Sequence, residues 1–149
     1  MKIQLFVSLK IPDTTAITAY QTVRRMGYDK IANIKRYDNY VFDVAGSGGE
    51  IEKQLAKTDI LVNSNKHNAA FLLEAEDNCI RLLVTERKAN FQGILTVLRD
   101  RLGFRQIRSL ARGTVWCLYF EGDLNKGIAQ EIGDKLLYNR HYQEIRGIS

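Results

Sequence analysis

Apolar and polar positions alternate at period two at the start of the chain. Ile3, Leu5, Val7 and Leu9 share one side, which predicts a strand over 3–9. Pro12-Asp13 marks a turn, and Asp13 or Thr14 can cap the element that follows. Ala16, Ile17, Tyr20 and Val23 recur three or four apart, the spacing of a helix with one apolar face, and Gly27 stops it. Strands 30–36 and 39–44 follow, with Tyr37-Asp38 as a tight turn between them. Gly46-Ser47-Gly48-Gly49 leads into a short helix at about 50–57, with Ile51 and Leu55 inward, and 68–74 reads as a final strand.

The remaining residues run through the same series. Strand 79–85 comes first. Helix 90–102 carries Phe91, Ile94, Leu95, Leu98 and Leu102 on one stripe and stops at Gly103. Strands 105–111 and 114–121 hinge at Arg112-Gly113. Helix 125–137 carries Ile128, Ile132 and Leu136, and strand 142–148 ends the series. Particular strings recur too. Ile3-Gln4-Leu5-Phe6-Val7-Ser8 parallels Ile80-Arg81-Leu82-Leu83-Val84-Thr85, Gly27-Tyr28 parallels Gly103-Phe104, and Arg36 parallels Arg112. The two histidines both end an Asn-basic-His string, Asn65-Lys66-His67 and Asn139-Arg140-His141, at an offset of 74. The pattern reads as a tandem duplication, 1–75 and 76–149, joined through the polar stretch 74–78.

Each half is thus expected to be a β-α-β-β-α-β unit of ferredoxin-like order, an α+β fold with two helices on one face of a small antiparallel sheet. Residues 115–120 read Val-Trp-Cys-Leu-Tyr-Phe, apolar on both parities, so this strand expects cover on both sides. The sheet of the other half is the natural cover. The expectation is a pseudo-twofold dimer in one chain, packed through its sheets.

Composition narrows the function classes. With 45% hydrophobic and 26% charged residues the 149-residue chain falls in the globular range. It contains no run of about 18 apolar residues, and the N-terminal apolar stretch is too short for a signal peptide. Only Cys79 and Cys117 occur, neither at metal-ligand spacing, which suggests small core residues in a reduced, cytoplasmic protein. The net charge of +5 divides into +2 for residues 1–75 and +3 for 76–149, with no basic block, and so argues for a solvated mixed surface rather than nucleic acid or membrane.

Motifs for active-site chemistry are missing. There is no dinucleotide fingerprint, Walker loop, nucleophile elbow or zincin string, and two histidines cannot supply a three-ligand metal site. The glycine-rich stretch 46–49 lacks the Lys-Ser/Thr of a phosphate loop and reads as a connector. The remaining candidates are Asn65, Lys66, His67, Asn139, Arg140 and His141, which lie between the second helix and last strand of each half. They suit either a local turn or basic contacts for a partner.

The residues resemble a known family, the PurS subunit of phosphoribosylformylglycinamidine synthase. The resemblance rests on Leu9-Lys10, Pro12-Asp13 and Met26-Gly27-Tyr28, on Leu61-Val62-Asn63, and on Leu136-Leu137-Tyr138-Asn139 with Glu144 behind it. It covers each half almost completely. Ala16 stands where the family often has glycine, Ser64 and Arg140 replace a proline, and Glu86-Arg87-Lys88-Ala89-Asn90 replaces the Leu-Lys-turn-Asp string. The resemblance implies two PurS-like repeats, the family's dimer fused in one chain. It implies a non-catalytic role, bridging a PurL-type synthetase and a PurQ-type glutaminase that together convert formylglycinamide ribonucleotide, ATP and glutamine to the amidine. This chain would bind no cofactor, ATP and Mg being used by the partner, would be inactive alone, and could pair further as a homodimer.

Two other readings share the element order. A tandem ACT-like module would bind an amino acid, and Thr85 to Leu95 has some likeness to its first loop and helix. An RNA-recognition module would stack bases on exposed Tyr40, Phe42 or Trp116.

Overall fold

The side chain of Asp13 opens the first helix, accepting hydrogen bonds from the N–H groups of Thr15 and Ala16 at 3.1 and 3.2 Å. Gly27, at φ +97°, and Gly103, at φ +81°, stand just past the ends of the two first-position helices, in the left-handed conformation that glycine adopts at least cost. The computed structural model describes residues 1–46, 49–86 and 91–148. Their order is β1 (Lys2–Leu9), α1 (Thr14–Arg25), β2 (Ile31–Val44), α2 (Gly49–Leu55), β3 (His67–Ala70), β4 (Cys79–Glu86), α3 (Gln92–Thr96), β5 (Ile107–Phe120), α4 (Lys126–Ile132) and β6 (Gln143–Ile148). α3 continues as a π-helical turn over Val97–Arg101, and α4 over Gly133–Leu137. The fold is α+β, with a six-stranded sheet in the order β3-β1-β2-β5-β4-β6.

Two expectations change here. The two hairpins, at Tyr37-Asp38 and Arg112-Gly113, do not form. β2 and β5 each run straight through as a 14-residue strand. A two-residue hairpin turn needs a positive φ, and among the described residues no side-chain-bearing residue has one. Gly113 is not among the positive-φ glycines either. It serves packing instead, since a Cβ there would lie 2.8 Å from the Val84 carbonyl oxygen. The elements per half are therefore β-α-β-α-β. Second, the strands form one sheet rather than two sheets facing one another. The chain divides into two compact units that each draw on both 1–75 and 76–149, with changes of unit at 37/38 and 112/113, inside the long strands.

One unit contains β1, β3, α2, α3, the part of β2 from Asp38 onward and the part of β5 up to Arg112. Ile3, Leu5 and Val7 of β1 and Tyr40, Phe42 and Val44 of β2 share a face, as period two requires. They pack with Ile51 and Leu55 of α2 and Leu95 and Leu98 along α3 and its extension.

The other unit contains α1, the first part of β2, β4, the last part of β5, α4 and β6. Its core joins Ala19 and Val23 of α1, Leu82 and Val84, Trp116, Leu118 and Phe120, and Ala129 and Ile132 of α4. The buried stripe of α1 is Ala16, Ala19 and Val23, while Ile17 is 44% exposed. All six residues 115–120 are buried, as their two-sided apolar pattern anticipates. α1 thus packs in the unit of β4, and α3 in the unit of β1.

The strand registers correspond. Ile3 faces Phe42 as Ile80 faces Leu118. Phe6 faces Ala70 as Leu83 faces Arg146. No helix among the described residues is long and apolar enough to cross a membrane.

Candidate functional site

The six candidate residues lie in two turns of the same construction. In the first, the Asn63 carbonyl accepts from the N–H groups of Lys66 and His67 at 2.9 and 2.7 Å. Its Oδ1 accepts from Asn65 N–H at 3.0 Å, an Asx turn. Its own N–H donates to His67 Nδ1 at 2.9 Å. In the second, the Asn139 carbonyl accepts from Tyr142 and Gln143 at 3.0 and 2.8 Å. Its Oδ1 accepts from His141 N–H at 2.9 Å, and its N–H donates to Gln143 Oε1 at 2.9 Å. Every bond recurs at an offset of 76.

That offset corrects the pairing of the histidines. The structural counterpart of His67 is Gln143, and that of His141 is Asn65. His67 and Gln143 do the same work, each accepting from the asparagine N–H four residues earlier. Because His67 Nδ1 is an acceptor, the neutral ring carries its proton on Nε2. Replacing His67 with glutamine should therefore leave stability nearly unchanged, whereas alanine should lower it by about 1 kcal/mol, the worth of one hydrogen bond. Urea unfolding midpoints of the two variants check this.

Lys10 ties the first turn to β1. Its N–H donates to the Lys66 carbonyl and its Nζ to the Ser64 carbonyl, both at 2.7 Å. The Leu9-Lys10 and Leu61-Val62-Asn63 strings thus meet in one place. Asn65 and Lys66 are exposed, as are Asn139, Arg140 and His141, while His67 is half-buried. In the second turn Tyr142 is 67% exposed and lies edge-on to His141, their ring centroids 6.5 Å apart. The turns display basic and amide groups outward on a hydrogen-bonded frame, which suits a protein contact. They bring together no set of acid, base and nucleophile.

The aromatic rings that an RNA module would need are buried. Tyr40 is 5% exposed, Phe42 0% and Trp116 8%, leaving no face for a base. Two of them are covered by arginines. The Arg36 guanidinium carbon lies 5.9 Å from the Trp116 ring centroid, and Arg112 lies 5.4 Å from that of Tyr40. Asp13 holds Arg36 with two bonds of 3.0 and 3.1 Å, so one carboxylate both caps α1 and fixes the arginine. Arg112 has a looser ion pair, 3.9 Å from Asp38.

A polar cluster on the strand face away from the helices escapes the sequence motifs. Register places Cys79 opposite Tyr119 and Arg81 opposite Cys117, four side chains in a square. Arg81 is only 6% exposed. Its Nη2 donates to the Glu74 carbonyl and to Glu76 Oε1, the latter at 3.4 Å, and its Nε has no hydrogen-bond partner. Tyr119 donates its hydroxyl to the same Glu76 oxygen at 3.1 Å. A hydrogen bond from Cys117 holds the Cys79 thiol below its usual range, with the Arg81 charge assisting. Cys117 is pushed up by that same bond and by burial.

Burial also raises the phenols of Tyr37, Tyr40 and Tyr119, the last helped by Cys117 and Glu76. The native state therefore keeps protons that the unfolded chain releases near the ordinary thiol and phenol values of 9.0 and 10.0. Binding more protons in the native state makes unfolding easier as pH rises. The depressed Cys79 acts in the opposite sense, one group against four. Stability should hold to about pH 8 and fall above it, read as urea midpoints at a series of alkaline pH values.

Ser47, Gly48 and the string Arg87-Lys88-Ala89-Asn90 lie outside the described residues. Among those described, no three His, Cys, Asp or Glu side chains converge as a metal site would require. No protein-family model matches the sequence, and a search of curated proteins finds no match.

Proposed function

We propose that the chain is two tandem PurS-like repeats, a pseudo-twofold dimer fused in one polypeptide, and that it serves as the bridging subunit of phosphoribosylformylglycinamidine synthase. On this reading it is a non-catalytic cytoplasmic protein. It holds a PurL-type synthetase and a PurQ-type glutaminase together, and ATP and Mg are used by the synthetase. Catalysis belongs to the partners, and this chain supplies their contact surface.

The observation that carries the reading is the paired turn. The Asn63 and Asn139 strings of the resemblance fold into the same hydrogen-bonded frame at an offset of 76, and Leu9-Lys10 is bound into the first. The shared strand registers and the positive-φ glycines after α1 and α3 support duplication independently. The outward groups of the turns, Lys66, Arg140 and His141, are the expected partner contacts.

Co-elution of the purified chain with the synthetase and glutaminase of the same source tests this. A three-part complex is expected in the presence of glutamine, ATP and Mg. The double variant Lys66→Glu/Arg140→Glu should weaken it by roughly tenfold, the scale of about 1.4 kcal/mol, while thermal unfolding stays unchanged. Separate elution of all three at micromolar concentrations would count against the reading.

A further inference from the structure

β6 stands at one end of the sheet order and pairs with β4 alone, so its outer edge is an open ladder of N–H and C=O groups. The proposed function makes no use of this edge. Its sequence is Gln143-Glu144-Ile145-Arg146-Gly147-Ile148, with two charges of opposite sign set one residue either side of Ile145. Both charged residues are exposed, as is Tyr142 in front of them, at 67%. The Arg146 side chain has no ion-pair or hydrogen-bond partner among the described residues.

The register with β4 sorts the side chains of the strand. Glu144 is opposite Thr85, Arg146 opposite Leu83 and Ile148 opposite Arg81, on the face away from the helices. Ile145 is opposite Val84 and packs against the helix-side core. It lies close to Gly133, where α4 passes into its π-helical turn.

We propose that the outer edge of β6 is a self-association surface, on which a second copy of this chain adds its own β6 antiparallel about a twofold axis through Ile145. Glu144 then faces the second copy's Arg146, and Arg146 faces the second copy's Glu144, so the ion pair forms twice. Ile145 meets its own counterpart on the helix side, Tyr142 meets Ile148, and Gln143 meets Gly147. Gly147 suits that place. Its φ is not positive, and a Cβ there would touch nothing within 4 Å, so neither a turn nor packing inside the chain calls for glycine. Glycine inside a strand marks a place where another backbone comes close.

Charged side chains ordinarily keep strand edges apart. Here they select one register. A twofold axis normal to the sheet keeps the helices of both copies on one side and passes through a residue. Centred on Glu144 or Arg146, it would set like charges face to face, which is destabilising. Centred on Ile145, it sets opposite charges face to face. The edge strand at the other end of the sheet order, β3, has four residues and no Asp, Glu, Lys or Arg. With one edge fit for pairing, association stops at a closed dimer and does not grow into a filament. A single strand edge buries less than a standard interface, so the dimer is expected to be weak.

Sedimentation equilibrium of the full-length chain, from about 1 μM to 1 mM, tests the proposal. A monomer–dimer equilibrium is expected, weakening as salt is raised, because exposed ion pairs are screened. Arg146→Glu opposes Glu144 with a carboxylate, and Glu144→Arg opposes Arg146 with a guanidinium. Each should weaken the dimer at least about tenfold. The exchange Glu144→Arg/Arg146→Glu restores opposite signs and should restore the dimer. Mixing the two single variants should do the same, since they complement one another as a heterodimer. If Glu144→Arg does not fold, Arg146→Glu gives a second measure: its residual association should rise with salt while that of the parent falls. A monomer at every concentration would overturn the proposal, as would a dimer that Arg146→Glu leaves unchanged, or an exchange and a mixture that both stay monomeric. These outcomes concern the chain alone and leave the bridging role to be decided by co-elution with its partners.

Discussion

Replacing Trp116 with alanine should lower stability by about 3–5 kcal/mol, the range for truncating a buried aromatic. Trp116 faces Leu82 across the β4–β5 pair, packs in the core with Leu118 and Phe120, and is 8% exposed. Its loss leaves a cavity and removes the ring beneath Arg36, whose guanidinium is held in place by Asp13 and cannot follow the collapse. Trp116→Phe keeps an aromatic face in the same position and should recover more than half of that loss. Thermal unfolding separates them, since a protein of this size changes Tm by roughly 2–4 °C per kcal/mol. An alanine variant within about 1 kcal/mol of the parent would show that Trp116 is not a core residue.

Gly113→Ala should be destabilising, by about 1–3 kcal/mol and occasionally more, as overpacking generally is. The sign is the informative part. Alanine is ordinarily preferred to glycine inside a strand by roughly 0.5–1 kcal/mol, so backbone propensity alone predicts a gain. At position 113 the added Cβ would stand 2.8 Å from the Val84 carbonyl oxygen and 3.0 Å from Leu83 Cδ1 and Thr85 Cγ2. The closest of these is backbone in the paired strand, so relief requires β4 and β5 to part. A stabilised Gly113→Ala variant would mean that β5 does not run straight past β4 here.

Gly113 shows how local pattern falls short. Arg112-Gly113 and Tyr37-Asp38 interrupt the apolar alternation, and a turn is the nearest local explanation. The interruption instead marks where each long strand passes from one compact unit to the other. Local periodicity reports which side of α1 faces inward, and Ala16 and Val23 do so. It carries no information about whose strands that side meets, so the placement of α1 with β4 and of α3 with β1 could not be seen. The apolar parities of 115–120 did anticipate burial on both faces, though not one continuous sheet.

The candidate turns were half legible. The residue-type match of the two histidines pointed to an offset of 74, but backbone geometry pairs Asn63 with Asn139 at 76, so His67 corresponds to Gln143. An imidazole Nδ1 and an amide Oε1 serve equally as acceptors there, and identity of residue type is a poor guide to identity of role. Cys79 and Arg81, two apart on a strand, share a face by sequence alone. Cys117 joins them only through the β4–β5 register, which no local string encodes.

The central claim is the bridging role, and its most direct measurement is glutamine-dependent synthase activity in a reconstituted mixture. Synthetase and glutaminase from the same source are assayed for amidine formation with ATP, Mg and glutamine, with and without this chain. The account predicts that activity depends on adding the chain and saturates at a fixed ratio to its partners, and that the chain alone has none. Equal activity with the chain omitted would contradict it.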